Sequence, residues 1–294
     1  MIDVMPSLEH LFRKSILLGY GALGISLTRI IESRALTFSF IIDPSPKTVP
    51  GSHGTWFEDL SQIPAEFKPS LIIIAVQDAQ ILSATKAINN RFKNLKECLI
   101  VHTSGSTDLS VLENLKKKGA TIGSWHPMMS FTVRQPITSI EGIITGIDGD
   151  KKAIDILSSF SRHLGAIPFH INESNRVLYH LLGVFASNFL VAYLALLEEI
   201  FQQITINNPD ISFDALKPIM QKTMTNVFSD SPAKALSGPV QRKDYSTIQK
   251  HLEVLKEKMP HLLPFYKQMT FKLAETAKYS DSERITLEQL MEKL

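Results

Sequence analysis

Several functions are made improbable by what this chain lacks. Its 294 residues contain a single cysteine, Cys98, so no internal disulfide can form. Cys98 opens the apolar run CLIV, where it reads as a small buried hydrophobe, and a reducing cytoplasm is the expected compartment. Charge of one sign is also scarce. A formal net charge of +2 leaves no basic stripe to neutralise a phosphate backbone, so no nucleic-acid partner is expected. The histidines are scattered and no His–Glu or Cys–Cys spacing matches a ligand set, so no metal is expected. The opening MIDVMPSLEHLFRK carries acids at Asp3 and Glu9 and has no continuous apolar segment, which argues against a secretory signal. Internal repeats and low-complexity stretches are absent.

One apolar run does reach the length a bilayer requires: Val177 to Leu197 holds no formal charge. His180, Ser187 and Asn188 interrupt it, and no cluster of Lys or Arg flanks it. The expectation is a long helix buried on all sides, with no membrane partner. Such an uncharged helix also favours a homodimer over a monomer.

The hydrophobic content of 44% is enough for two cores, and two domains are expected. Strand candidates recur through the first part: Ser15–Gly19, Phe38–Asp43, Ser70–Val76, Cys98–Gly105, a run near ATIGSWHP, Gly142–Ile147 and Ile167–Ile171. SLIIIAV and CLIV are apolar almost throughout, as strands covered on both faces are. Amphipathic stretches at Ala22–Glu32, Ala79–Phe92, Leu109–Lys118 and Lys151–Leu164 suit the crossover helices that parallel strands require. After Asn172 apolar residues recur only at helical spacing, with prolines as punctuation and a mostly solvated last helix from Ser280. The fold class is therefore α/β: a Rossmann-type, doubly wound, mainly parallel sheet in residues 1–172, then an all-α domain in 173–294, which would contribute the substrate cleft and dimerise.

Gly19-Tyr20-Gly21-Ala22-Leu23-Gly24 follows an apolar strand and opens a helix, which is the setting that gives GxGxxG its meaning. Gly19 would permit the turn, Gly21 would let backbone approach a pyrophosphate, and Gly24 would let helix and strand pack closely. Amides at the helix start attract phosphate without a basic side chain. About 20 residues on, at the end of the next strand, Asp43 can accept from ribose hydroxyls and repel a 2′-phosphate. NAD is thus favoured over NADP as cofactor, although Ser45 and Lys47 stand nearby and can turn toward a phosphate. The alternative is a glycine turn with a chance Asp.

Ligands of open α/β sheets collect beyond the carboxyl ends of the strands. Val76 and Gln77 follow the third strand candidate, Thr103 and Ser104 the fourth, and His126 the fifth; all are placed against the cofactor or substrate. His102 and His126 can each serve as general acid or base, or simply pack. On the long helix, His180 and Asn188 are two turns apart and share a face, with Ser187 beside them. Arg242, in the polar loop LSGPVQRKD, would clasp an anion, or the loop is a turn with a surface ion pair at Asp244.

Taken together, GYGALG, HTSG, SWHPMMSF, YHLLGVFASNFLVA and ALSGPVQRKDYSTIQKHL resemble Rossmann-like proteins whose helical C-terminal half is domain of unknown function 2520. That group is similar to ketopantoate reductase, 3-hydroxyisobutyrate dehydrogenase and prephenate dehydrogenase. The resemblance spans nearly the whole chain and implies hydride transfer with a nicotinamide cofactor, on a substrate that it does not name. The leading expectation is an NAD(P)-dependent oxidoreductase acting on a small, anionic metabolite. Two residues depart from the wider pattern. Val184 stands where hydroxyacid dehydrogenases carry a lysine four residues before the helix asparagine, here Asn188. The acid or base role then falls to His180, His126 or Tyr179, and a dinucleotide-binding protein without turnover becomes the rival reading. Lys243 stands where relatives often have glycine, which would narrow or recharge the entrance to the cleft.

Overall fold

The computed structural model describes residues 7–45 and 54–293. Asp3 and Lys47, both weighed from the sequence, lie outside the described residues. The chain separates into two compact units, Met1–Ala195 and Leu196–Leu294.

The first unit is built on an eight-stranded sheet: β1 (Ser15–Leu18), β2 (Phe40–Ile42), β3 (Thr55–Phe57), β4 (Leu71–Ile74), β5 (Leu99–His102), β6 (Thr121–Pro127), β7 (Ile144–Gly149) and β8 (Ile167–His170), in the order β3-β2-β1-β4-β5-β6-β7-β8. Every neighbouring pair is parallel except β6 and β7. Period-2 alternation sends Leu17, Ile73, Val101 and Trp125 to one face, against Leu27 and Ile31 of α2 (Ala22–Glu32) and Phe160 of α5 (Lys151–His163). Ile16, Ile72, Ile74 and Ile100 go to the other face, against Ile81 and Ile88 of α3 (Ile81–Arg91) and Leu115 of α4 (Glu113–Lys116). Both faces are covered, which is why these strands are apolar at every position. A short α1 (Leu8–Phe12) precedes β1, and Cys98 is fully buried, with its thiol pKa raised by that burial.

The order of strands turns back between β1 and β4. In such a sheet the crevice for ligands opens at this reversal, beyond the carboxyl ends. The glycine loop after β1 lies there.

One helical stretch, Glu173–Thr205, runs from a 3₁₀ turn through α6 (Arg176–Gly183), a π-helical segment (Val184–Asn188) and α7 (Phe189–Thr205). The expectation that it is buried on all sides is wrong. Val177 is 70% exposed, Phe185 58% and Val191 66%, while Tyr179 is buried. Apolar composition alone does not fix which side chains are buried. By length and composition this helix is also able to cross a bilayer.

The second unit is helical: α8 (Lys217–Ser229), α9 (Pro232–Ala235), α10 (Tyr245–Lys258), α11 (Leu263–Thr276) and α12 (Asp281–Glu292). Pro218, Pro232 and Pro264 sit in first turns, where a missing N–H costs nothing. The core is Val240, Ile248, Leu252, Ala274, Tyr279, Leu287 and Met291. Asp244 forms no ion pair among the described residues. It caps α10, accepting from Thr247 N–H at 3.0 Å and Thr247 Oγ1 at 2.7 Å, and these bonds hold its carboxyl down to about 2. Lys243 adopts φ +58°, the left-handed region where glycine is at home, and its amine pairs with Glu283 inside this unit.

Candidate functional site

The three glycines of GYGALG meet three different demands. Gly19 has φ +93°, and a Cβ there would stand 2.7 Å from the Ala75 carbonyl oxygen, so the turn presses directly on the end of β4. A Cβ at Gly24 would stand 2.2 Å from Gly19 O, so only glycine lets the helix start this close to the loop. Gly21 is the N-cap of α2, and nothing lies within 4 Å of a Cβ built on it. No side chain caps this helix start, and its first-turn amides, in Ala22, Leu23 and Gly24, have no acceptor within the helix. A pyrophosphate fits such a surface. Tyr20 takes no place in it: its side chain is buried, edge-on to Trp56 with ring centroids 5.2 Å apart. Its backbone N–H donates to Asp43 Oδ2 at 2.7 Å, while Ser45 N–H donates to Oδ1 at 2.9 Å. Asp43 therefore ties the glycine loop to the end of β2 and keeps lone pairs on both oxygens.

Val76 packs beside Gly19, and Gln77 is exposed just after β4. Thr103 is buried and donates to Ile74 O at 3.2 Å. Ser104, also buried, donates to Asp78 Oδ2 at 2.7 Å, and Ser106 donates to the same oxygen at 2.9 Å. Asp78 thus pins the loop after β5 to the loop after β4.

His102 and His126, alike in the sequence, are placed quite differently. His102 is the last residue of β5 and is fully buried, and neither ring nitrogen meets a partner among the described residues. Strand register lines up Ile74, His102, Ser124 and Asp148 across β4 to β7, all on one face. Arg176, itself buried, reaches over this row: it pairs with Asp148 at 2.6 Å and donates to Ser124 Oγ at 3.3 Å. Burial first, and the Arg176 charge second, push His102 down to about 4. Sealed in this way, His102 cannot be the general acid or base. Arg176, Ser124 and Asp148 are invisible without the strand register, and no sequence signal marks them.

His126 lies near the end of β6, half-buried. Its ring lies on the peptide of Gly105, where a Cβ would stand 3.0 Å from Cε1, so the glycine of HTSG makes room for it. With Met128, His180, Ser187 and Asn188 it borders a cavity of about 380 Å³ that also touches Val184. This is within the size of small-molecule sites. The π-helical segment carries Ser187 and Asn188, and insertions of this kind often occur at functional sites. Burial, then the nearby charge of His180, pushes His126 down to about 4, so it is neutral at ordinary pH. The cavity therefore gathers His126, His180, Ser187 and Asn188. Ser104 does not border it, and Arg242 belongs to the second unit. Among the described residues no group of His, Cys, Asp or Glu can hold a metal ion.

Residues 143–273 match the family model of a domain of unknown function, DUF2520. The match begins inside the sheet, just before β7, and ends in α11. It meets the resemblance drawn from YHLLGVFASNFLVA and ALSGPVQRKDYSTIQKHL. No curated protein matches this chain. Among solved structures, it is similar to a candidate NADP oxidoreductase of Bacteroides fragilis, at 22% identity and TM-score 0.69, covering 89% of this chain and 97% of that one. A Thermotoga maritima protein is alike at 22% identity and TM-score 0.69, covering 92% and 99%. Prephenate dehydrogenase of Aquifex aeolicus, in complex with hydroxyphenyl propionate and NAD⁺, follows at 14% identity and TM-score 0.52, covering 89% and 97%. At these identities the likeness is one of fold, and it establishes the Rossmann-like sheet with its helical continuation.

Proposed function

We propose that this chain is an NAD(P)-dependent oxidoreductase that moves a hydride to or from a small, anionic metabolite. The observation that carries the reading is the open backbone cradle at Gly21, set at the reversal of strand order. Gly19, Gly21, Ala22, Leu23 and Gly24 would hold the pyrophosphate and Asp43 the adenosine ribose, with Val76, Gln77 and Thr103 along the remainder of the cofactor. A carboxylate at that position favours NAD; solved proteins of this fold bind NADP or NAD⁺. A bound nicotinamide dinucleotide supplies the hydride acceptor or donor. His126 or His180 takes or gives the substrate proton, Ser187 and Asn188 orient the reacting group, and Ser104 and Arg242 complete substrate recognition, with Arg242 the source of the preference for an anion.

This reading assigns cofactor binding to residues 1–172 and gives 173–294 the substrate side and dimerisation. The exposed apolar face of Glu173–Thr205 supports a homodimer, because an uncovered surface of this kind is costly in water. It also assigns the protein to the cytoplasm, with no membrane and no nucleic acid as partner.

Calorimetry with NAD, NADH, NADP and NADPH tests the cofactor, and a panel of 2-keto acids and imines tests turnover. Saturable binding with cofactor oxidation supports the proposal; no heat with any of the four ends it. A second reading rests on Val184, which puts an apolar side chain on the cavity where the wider group has its lysine. On that reading the protein binds the dinucleotide and reports its level. Binding without turnover across the panel favours it, whereas a His180→Ala variant that loses a detected activity but keeps NADH affinity rules it out.

A further inference from the structure

We infer that Tyr179 is a positioning residue that decides which nitrogen of His126 carries the proton, leaving Nδ1 protonated and an unprotonated Nε2 for the cavity. Tyr179 projects from α6 onto the antiparallel pair β6 and β7, where His126 and Gly146 are register partners. Its hydroxyl sits between their backbones. It donates to the His126 carbonyl oxygen at 2.9 Å and accepts from Gly146 N–H at 2.9 Å. Neither bond can run the other way, because a carbonyl has no proton to give and an amide N–H cannot accept.

A third contact joins the hydroxyl to His126 Nδ1, at 3.3 Å. A phenol has one proton, and here it is committed to the shorter bond. Toward Nδ1 the oxygen therefore offers only a lone pair, so the imidazole must be the donor. In a neutral ring, protonation at Nδ1 leaves Nε2 bare. The neutral ring is the relevant state, because burial holds His126 near 4. Burial also pushes the Tyr179 phenol up to about 12, so the hydroxyl keeps its proton.

The arrangement is built into the sheet. A Cβ at Gly146 would stand 2.6 Å from Tyr179 Cζ, so the absence of a side chain there lets the ring reach the strands. Phe169 stacks on the phenol at 6.1 Å between centroids, 16° from parallel. Nε2 of His126 has no hydrogen bond among the described residues, and unlike both nitrogens of His102 it is not among the sealed, unpartnered atoms.

A bare Nε2 selects its ligand. It accepts a proton or a hydrogen bond, so it recognises the hydroxyl or amine of a reduced substrate, and a carbonyl oxygen would set lone pair against lone pair. This ligand-side consequence rests on the oxidoreductase reading; the tautomer itself does not.

Two-bond ¹H–¹⁵N correlation spectra of the full chain near pH 7 read the tautomer, with the His126 signals identified by their loss in His126→Gln. The expected pattern is Nδ1–H in the wild type, lost in Tyr179→Phe, where the ring reverts toward the Nε2–H form that a free imidazole prefers. A purely structural tyrosine would leave the tautomer unmoved. An Nε2–H pattern in the wild type overturns the inference, whether or not Tyr179→Phe folds, and so does an Nδ1–H pattern that survives the substitution. Cofactor titration, done separately, tells the two proposals apart: no dinucleotide binding alongside an Nδ1–H ring ends the oxidoreductase reading and keeps the role of Tyr179.

Discussion

The ends of β5 and β6 are neighbours in one sheet, and each presents a histidine whose pKa burial has pushed to about 4. At the end of β5 the imidazole is closed in beneath Arg176 and has no partner for either nitrogen among the described residues. At the end of β6 the imidazole leans on Gly105, is held through Nδ1 by Tyr179, and borders a cavity. A depressed pKa is thus the same signal in both places. Access, and a neighbour that fixes the ring, separate a histidine suited to chemistry from one that only packs.

The sharpest way to break this comparison is to remove each ring in turn. His126→Ala is expected to lower turnover by about 10² to 10⁴, the usual worth of a positioned acid or base, with NADH affinity kept. His102→Leu is expected to leave turnover intact, because a buried ring with unpaired nitrogens is exchanged for an apolar side chain. Steady-state kinetics on both variants decide it, and equal losses would erase the distinction.

Acid should bring out what the two histidines share. Each has a folded pKa below its unfolded value of about 6.5, so as pH falls below that value the unfolded chain takes up protons that the folded chain refuses. The histidine contribution to stability is then expected to drop between about pH 6.5 and pH 4, by up to about 1.4 kcal/mol per pH unit for each ring, and to level off below, where lowered carboxyls such as that of Asp244 begin to take up protons instead. Urea midpoints across this window measure the slope. In His102→Leu it should be about half as steep.

The glycine loop offers a second contrast, between a glycine that leaves room for a ligand and one that leaves room for the chain. Gly21→Val places its side chain in the open cradle, so cofactor affinity is expected to fall at least tenfold, about 1.4 kcal/mol, with thermal stability unchanged. Gly24→Ala meets Gly19 O and should lose about 1 to 3 kcal/mol of stability. Melting curves and calorimetry on the pair separate the two effects. The smallest change expected is Lys243→Gly, which relieves a left-handed backbone but gives up the pairing with Glu283, for a net shift within about 1 kcal/mol in the melting curve.

How legible each part was follows from what makes it. The glycine loop is made of backbone, and its spacing states its geometry directly: Gly19, Gly21 and Gly24 fall where turn, cradle and helix contact need them. The long apolar strands were equally plain, because a strand covered on both faces carries its burial at every position. The three-residue β3 was missed, since Thr55–Phe57 is too short for any period to show. His102 could have been set apart from His126: LIVH continues the strand alternation, which puts its histidine on the face of Ile100 and inside. The Arg176 cluster depends on register, and register is not written in any one segment. For Val177–Leu197, the sequence showed apolar composition, which by itself does not fix burial.

The most direct experiment is a calorimetric titration of NADH and NADPH into the wild-type chain and into Gly21→Val. Saturable binding of one or both to the wild type, lost in a Gly21→Val variant with an unchanged melting curve, is the predicted result. Binding of neither, or binding that the valine leaves intact, would contradict it.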